Sequence, residues 1–165
     1  FHNTSKLIWP VLSTHPNYVF DEANIQFTGG GNGPYYSLFM RSDNDYSIFY
    51  ILGILAHPIF ETMVKSGASE FRGAYYSHGK QFLENLPIKQ IDFANNEELK
   101  QHNELVKVVK QLIATKESLR GEYQFAKMNV LKRKFDMLFN SLIAQVNLLY
   151  SITDDEMSIV LNDEM

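Results

Sequence analysis

The stretch Met128-Asn129-Val130-Leu131-Lys132-Arg133-Lys134-Phe135-Asp136-Met137-Leu138-Phe139-Asn140-Ser141-Leu142-Ile143-Ala144-Gln145-Val146-Asn147-Leu148-Leu149-Tyr150-Ser151-Ile152 carries its apolar residues at helical spacing. Met128, Leu131, Phe135, Leu138, Leu142, Gln145, Leu149 and Ile152 follow one another at intervals of 3-4-3-4-3-4-3, a heptad seam with one polar member. Phe139, Ile143, Val146 and Tyr150 broaden the stripe. A stripe that wide exceeds a two-stranded seam, so this helix is expected to pack against more than one partner.

Working outward, Leu105, Val109, Leu112 and Leu119 share a face of an earlier long helix, with Lys116 at the remaining heptad position. Asn95 and Glu98 have capping-box spacing at its start, and Gly121 weakens its far end. Thr153 and Glu156 form a second capping box ahead of a short helix with Met157, Val160 and Leu161. Residues 93–165 therefore read as a helical hairpin, in the manner of a coiled coil, followed by a short terminal helix.

Residues 1–92 differ. Short β-forming runs occur at 6–12, 17–20, 24–28 and 35–40, with Pro10 expected at an edge or bulge. Gly29-Gly30-Gly31-Asn32-Gly33-Pro34 is the strongest breaker in the chain. From Asp45 the period turns helical, with Ile48, Ile51, Leu52 and Leu55 on one face and Asp43 or Asn44 as cap. His57-Pro58 breaks that helix, and Pro58 opens another that stops at Ser66-Gly67. Loop or strand over 70–78, a helical turn over 80–85 and an extended piece over 88–91 follow. The fold class expected is α+β: a mixed α/β domain over 1–92, then the hairpin.

The 165 residues are 45% apolar and 21% charged, a balance that supports a packed core and argues against disorder. No cysteine is present, which removes disulfides and thiolate metal sites and fits a cytoplasmic location. No apolar run reaches the length of a membrane helix, so no membrane partner is expected. The sequence opens on Phe1 with no signal-peptide pattern and reads as a piece of something longer. Net charge is −4; residues 1–90 hold six Lys/Arg against seven Asp/Glu, and residues 91–165 nine against twelve. Neither half is basic, so composition gives no support to nucleic-acid binding.

The chemistry of a catalytic site does not assemble. His2, His15, His57, His78 and His102 show no metal-ligand spacing, and no G-x-S-x-G occurs. The glycine loop lacks G-x-x-x-x-G-K-[ST] and precedes a strand rather than a helix, so a flexible turn is its better reading. Its bare backbone can nonetheless approach a nucleic acid closely. Arg72-Gly73-Ala74-Tyr75-Tyr76-Ser77-His78-Gly79-Lys80 is the richest constellation, with two cations and two aromatics suited to guanine, phosphate and stacking contacts. The same residues admit a structural role, with Tyr75 or Tyr76 in the core and Arg72 paired to Glu70 or Glu84. Lys132-Arg133-Lys134 is too short for a basic patch and reads as a solvated helix face.

These stretches resemble a known family. Tyr50-Ile51-Leu52-Gly53-Ile54-Leu55, followed by His57-Pro58-Ile59-Phe60, is similar to the "LLGILNSKLF" helix of TaqI-like C-terminal specificity domains, found in type IIG and type I-like restriction-modification enzymes. Phe71-Arg72-Gly73-Ala74-Tyr75-Tyr76 and Lys80-Gln81-Phe82-Leu83-Glu84-Asn85-Leu86-Pro87-Ile88 resemble that family's "LRGGYYRFSKQYLENLPI". Lys6-Leu7-Ile8-Trp9-Pro10 resembles its "KIIYP" strand, and Leu148-Leu149-Tyr150-Ser151-Ile152-Thr153-Asp154-Asp155-Glu156 its closing "LVYELYGLTDEE". Two departures stand out: Ala74 replaces the second glycine of the family's pair, which bears on close backbone approach there, and Ser151 replaces a frequent glycine, with little consequence expected.

The resemblance implies a double-stranded DNA target-recognition domain, with a helical spacer or dimerisation region over 93–165. It implies that an adenine methyltransferase domain elsewhere in the parent protein, bearing an "NPPY"-type motif, receives the target base. No such motif occurs here, so this chain is expected not to be an enzyme by itself but a C-terminal fragment of a type IIG restriction enzyme and N6-adenine methyltransferase. S-adenosylmethionine and Mg belong to those catalytic domains, and no cofactor is expected in this chain. A homodimer through the C-terminal helices is a further expectation. Leu83, Leu86 and Ile88 read as core. Arg72, Tyr76, His78, Lys80, Asn32 and Arg41 are nominated as DNA contacts by chemistry and loop position. The alternative is a helical oligomerisation or protein-interaction module without DNA binding, which the acidic balance favours.

Overall fold

The computed structural model describes residues 5–27, 33–71 and 73–162, with side chains to residue 160. The architecture is α+β: two small antiparallel sheets, then a long helical hairpin and a short C-terminal helix. The first sheet has the order β3-β1-β4, from β1 (Lys6–Pro10), β3 (Val19–Asp21) and β4 (Tyr35–Phe39). The second has the order β2-β6-β5, from β2 (Leu12–Ser13), β5 (Glu70–Phe71) and β6 (Tyr75–Ser77).

Val11 joins the two sheets. Its N–H donates to Pro34 O at 2.9 Å, extending the first sheet, while its carbonyl accepts from His78 N at 2.7 Å, opening the second. Pro10 stands in a central strand, yet β3 pairs only with Lys6–Ile8, so one side of Pro10 is unpaired and its missing N–H costs no ladder bond.

The alternating run 24–28 is not a strand over its described part. The Asp21 carboxylate accepts from Ala23 N at 3.0 Å and Ile25 N at 2.9 Å, folding the chain back at Asn24, which takes φ 55°. Local capture of backbone N–H groups defeats alternation here. The same carboxylate pairs with Lys6 Nζ at 2.6 Å, both side chains buried. Burial works to raise the Asp21 pKa, but the Lys6 contact and the two backbone donors outweigh it and hold it below the usual value.

The helix α1 (Ile48–Leu55) is capped by Ser47, not by Asp43 or Asn44. Asn44 instead accepts from Tyr46 N in a local turn two residues earlier. His57-Pro58 then bends the chain by 70° into α2 (Pro58–Gly67). The His57 ring caps α2 through Nδ1, which accepts from Ile59 N at 3.3 Å, and Pro58 occupies the first turn where its missing N–H does no harm. No single helix is long and apolar enough to cross a membrane among the described residues.

A short turn α3 (Lys80–Leu83) leads to the hairpin of α4 (Asn96–Arg120) and α5 (Phe125–Tyr150), closed by α6 (Asp154–Asn162). Asn95 accepts from Glu97 N and Glu98 N, while Glu98 turns outward to Asp92 N at 2.8 Å, so only half of that capping box closes. The second box closes fully: Thr153 N and Oγ1 both donate to Glu156, and Glu156 N donates to Thr153 Oγ1. These bonds to the Thr153 backbone and side chain hold the Glu156 carboxyl below its usual range.

One core runs through both halves of the chain. Leu7, Trp9, Tyr50 and Ile54 share it with Leu105, Val109, Leu142 and Val146. Residue 92 thus marks a change of secondary structure inside a continuous core. At Gly53 a Cβ would lie 2.9 Å from both Leu105 Cδ1 and Val109 Cγ2, so α1 and α4 meet at a glycine. The apolar stripe of α5 is buried only in its second half, at Leu142 and Leu149 of the seam and at Val146 beside it. Gln145, its polar member, donates weakly to Ser141 Oγ at 3.4 Å and leaves a buried carbonyl oxygen with no partner among the described residues.

Residues 87–91 form no strand. Three tyrosine hydroxyls hold them instead. Tyr150 donates to Pro87 O at 2.8 Å and accepts from Lys89 N at 2.7 Å; Tyr50 donates to Lys89 O at 2.9 Å; Tyr46 accepts from Ile91 N at 2.6 Å. Burial pushes the Tyr50 and Tyr150 hydroxyls above their ordinary value, so both stay neutral donors, and Tyr150 accepts as well.

Candidate functional site

The β5–β6 hairpin carries Gly73–Ser77 of the constellation, and His78, Gly79 and Lys80 follow it. Its ladder pairs Glu70 with Tyr76 and Phe71 with Tyr75, with Gly73 and Ala74 in the turn between them. Gly73 and Ala74 both take positive φ, 79° and 59°. The family glycine that Ala74 replaces therefore falls on left-handed backbone, which costs a side-chain-bearing residue about 1–2 kcal/mol. Ser151, the other departure, caps α5 at φ 56°. Among the described residues, two of the three positive-φ residues other than glycine are thus positions where the resembled family has, or often has, glycine.

His78 is inside the protein rather than on its surface, at 2% exposure. Its Nδ1 donates to Tyr76 O at 3.1 Å, since a carbonyl can only accept, and its Nε2 faces both Glu61 oxygens at 3.0 and 3.1 Å. Glu61 is itself buried on α2. Both ring nitrogens are occupied internally, so His78 fastens the hairpin to α2 and presents nothing to a macromolecule. Tyr18 belongs to the same interior; burial first, then the Glu61 charge, push its hydroxyl above the usual value.

Tyr76 is half-buried, with Lys65 Nζ 5.7 Å from its ring centroid. Lys65 also lies 3.7 Å from Glu61. These side chains wall a groove of about 610 Å³ lined by Thr14, His15, Pro16, Thr62, Lys65, Ser66, Ala74 and Tyr76. Lys80 opens α3, is exposed, and lies 3.6 Å from Glu84. Arg41 is exposed beyond the Lys6 end of β4, whereas Gly33-Pro34 lies at the Pro10 end. A five-residue strand, about 17 Å long, separates those two ends. Arg72 and Asn32 lie outside the described residues. Tyr76 and Lys80 thus flank one hairpin, and Arg41 belongs to another region. Lys65 and His15 were not legible as site residues, because their proximity to Tyr76 depends on how α2 packs.

No three His, Cys, Asp or Glu side chains converge as a metal site among the described residues. The Glu61–His78 pair is buried, and the groove beside it lacks the carboxylate set that Mg prefers. The residues present do not fit a resident metal.

Sequence comparison links the chain to a restriction-modification protein. Over 98 residues, 59% of the chain, it is 29% identical to the type II restriction enzyme and methyltransferase RM.Eco57I of Escherichia coli. The match covers 10% of that protein's length. No family model matches the chain.

Proposed function

We propose that this chain is a double-stranded DNA target-recognition domain of the TaqI-like type, working in a restriction-modification protein whose adenine methyltransferase domain lies elsewhere. The observation that carries the reading is the coincidence at Ala74 and Ser151. Two glycine positions of the resembled family fall on left-handed backbone here, as expected if the chain shares that family's turns. Similarity to RM.Eco57I supports the coarser part of the reading, a link to a restriction-modification protein. Phosphate contacts would fix register and base-edge contacts would specify the site. Tyr76, Lys80, Arg72, Asn32 and Arg41 remain the nominated contacts, with His78 as their internal brace. The target adenine would be flipped into the catalytic domain, which would hold S-adenosylmethionine and Mg.

Anisotropy titration against random-sequence duplex DNA at several salt concentrations tests this. Weak, salt-sensitive binding is expected. Absence of binding at low salt, also with a methyltransferase domain joined to the chain, overturns the reading. Replacing Arg72 and Lys80 by Ala should weaken binding while the thermal transition is kept.

A second reading, a homodimer or protein-interaction module through the C-terminal helices, draws on the outer face of the hairpin. Phe125, Val130 and Met137 are exposed on α5, with Val130 and Met137 seven residues apart, and Tyr123 is exposed in the loop before it. Sedimentation equilibrium at micromolar concentration separates a monomer from a dimer.

A further inference from the structure

We infer that the tip of the helical hairpin, from Lys116 to Lys134, binds backbone phosphates of duplex DNA as a sequence-independent anchor. The inference rests on the DNA-recognition reading and places a contact outside the nominated residues, on the part of the chain otherwise read as a spacer.

The distribution of charge comes first. Residues 116–134 hold six Lys/Arg against two Asp/Glu, while the rest of the chain holds nine against seventeen. The overall −4 therefore conceals a segment of +4. The run Lys132-Arg133-Lys134 is too short for a patch by itself, but the fold adds to it. Residues 121–124 join α4 to α5, so Lys116 and Arg120 on the last turns of α4 come back beside Lys127 and the run on the first turns of α5. All six cations are exposed, and none forms an ion pair with a described carboxylate. Glu122 instead turns its carboxylate to Gln124 N at 2.8 Å.

Projection comes second. The buried residues of α5 begin only at Leu142. From Phe125 to Leu142 the helix rises about 26 Å, at roughly 1.5 Å per residue. The tip therefore extends past the buried part of α5. Tyr123 and Phe125 are 92% and 76% exposed there, so their rings bury little against this chain.

The occupant follows from sign and pairing. A cation already held by a carboxylate must give up that partner before it meets a phosphate, and these six have no such partner to give up among the described residues. Each phosphate they neutralise releases condensed counterions, which drives binding. Lys116 and Arg120 lie one turn apart on α4, and Lys127 and Lys134 two turns apart on α5, so both helices of the tip present cations. The Tyr123 hydroxyl adds a group that can donate to a phosphate oxygen. A second copy is a poor occupant, since a tip-to-tip contact would set +4 against +4 within a Debye length.

The test compares two double variants of equal charge change, in salt titrations of the full chain with random-sequence duplex DNA. Arg120→Gln with Lys127→Gln should weaken binding roughly ten-fold at about 0.1 M salt and lower the salt slope by about two. Lys100→Gln with Lys107→Gln, exposed on α4 outside the tip, should leave the slope unchanged and the affinity within about three-fold. Arg120→Lys with Lys127→Arg should bind as the unaltered chain does. Should the first variant lose its thermal transition, Lys132→Gln with Lys134→Gln replaces it with the same expectation. Equal losses in the tip and control variants mean that net charge alone acts, and overturn the tip assignment while the DNA reading stands. An unchanged slope in the tip variant also overturns it and leaves the patch to an acidic protein surface. If the unaltered chain binds no duplex at low salt, the DNA reading itself has failed, and the tip assignment with it.

Discussion

His57 Nε2 lies 3.0 Å from Asn147 Oδ1, linking the start of α2 to α5 across ninety residues of chain. The other ring nitrogen caps α2 by accepting from Ile59 N. The ring is therefore neutral with its proton on Nε2, donating to Asn147. Burial lowers the His57 pKa from the ordinary 6.5 to about 4, and the bond to Asn147 opposes that shift only partly.

Because the folded pKa is depressed, the unfolded chain binds the proton first as pH falls. The stabilisation from neutral His57 is complete above about pH 6.5 and is lost progressively down to about pH 4. The total is on the order of 3 kcal/mol. Urea unfolding between pH 7 and pH 4 should show this decline, and His57→Gln should flatten it. An equal slope in both proteins would rule His57 out as the titrating group.

Tyr150→Phe should destabilise by about 1–2 kcal/mol, because both Pro87 O and Lys89 N lose a partner at once. The check is chemical denaturation together with amide exchange at Lys89, which should quicken in the variant.

Ala74→Gly and Ser151→Gly should each leave stability unchanged or raise it by about 0.5–1 kcal/mol. Relief of left-handed strain exceeds the added entropy of the unfolded glycine. A fall in melting temperature for both variants would contradict the backbone assignment at these two turns.

Gly53→Ala should cost about 1–3 kcal/mol despite alanine's better helix propensity, since Leu105 and Val109 are packed and must move. Calorimetry reads the difference directly. Trimming Val109 to Ala in the same protein should recover part of the loss.

Much of the helical part was legible from periodicity, because burial at 3.6-residue spacing leaves a pattern that local chemistry rarely disturbs. The break at His57-Pro58, the stop at Gly67 and the box at Thr153–Glu156 all stand where turn chemistry places them. The β part was less legible, for a stated reason at each residue. Asp21 captures the N–H groups that a strand over 24–28 would need. Ser47 rather than Asn44 caps α1, since Asn44 is engaged in its own turn. In the candidate site, residues 70–78 read only as loop or strand, and neither their hairpin pairing nor which of them face outward was legible. His78 looks like a surface contact in sequence and becomes internal only because Glu61, seventeen residues earlier, is turned toward it. Lys65 is the converse, an unremarkable helix lysine until Tyr76 comes to lie beneath it.

The meeting of α1 and α4 at Gly53 bears on how such a module could be exchanged. A chimera that grafts residues 1–92 onto foreign helices would have to match a glycine-sized gap on one side with Leu105 and Val109 on the other, and supply a tyrosine where Tyr150 grips the chain at Pro87 and Lys89. Recombination of this chain is therefore better kept away from the helical junction, which is a fitted joint.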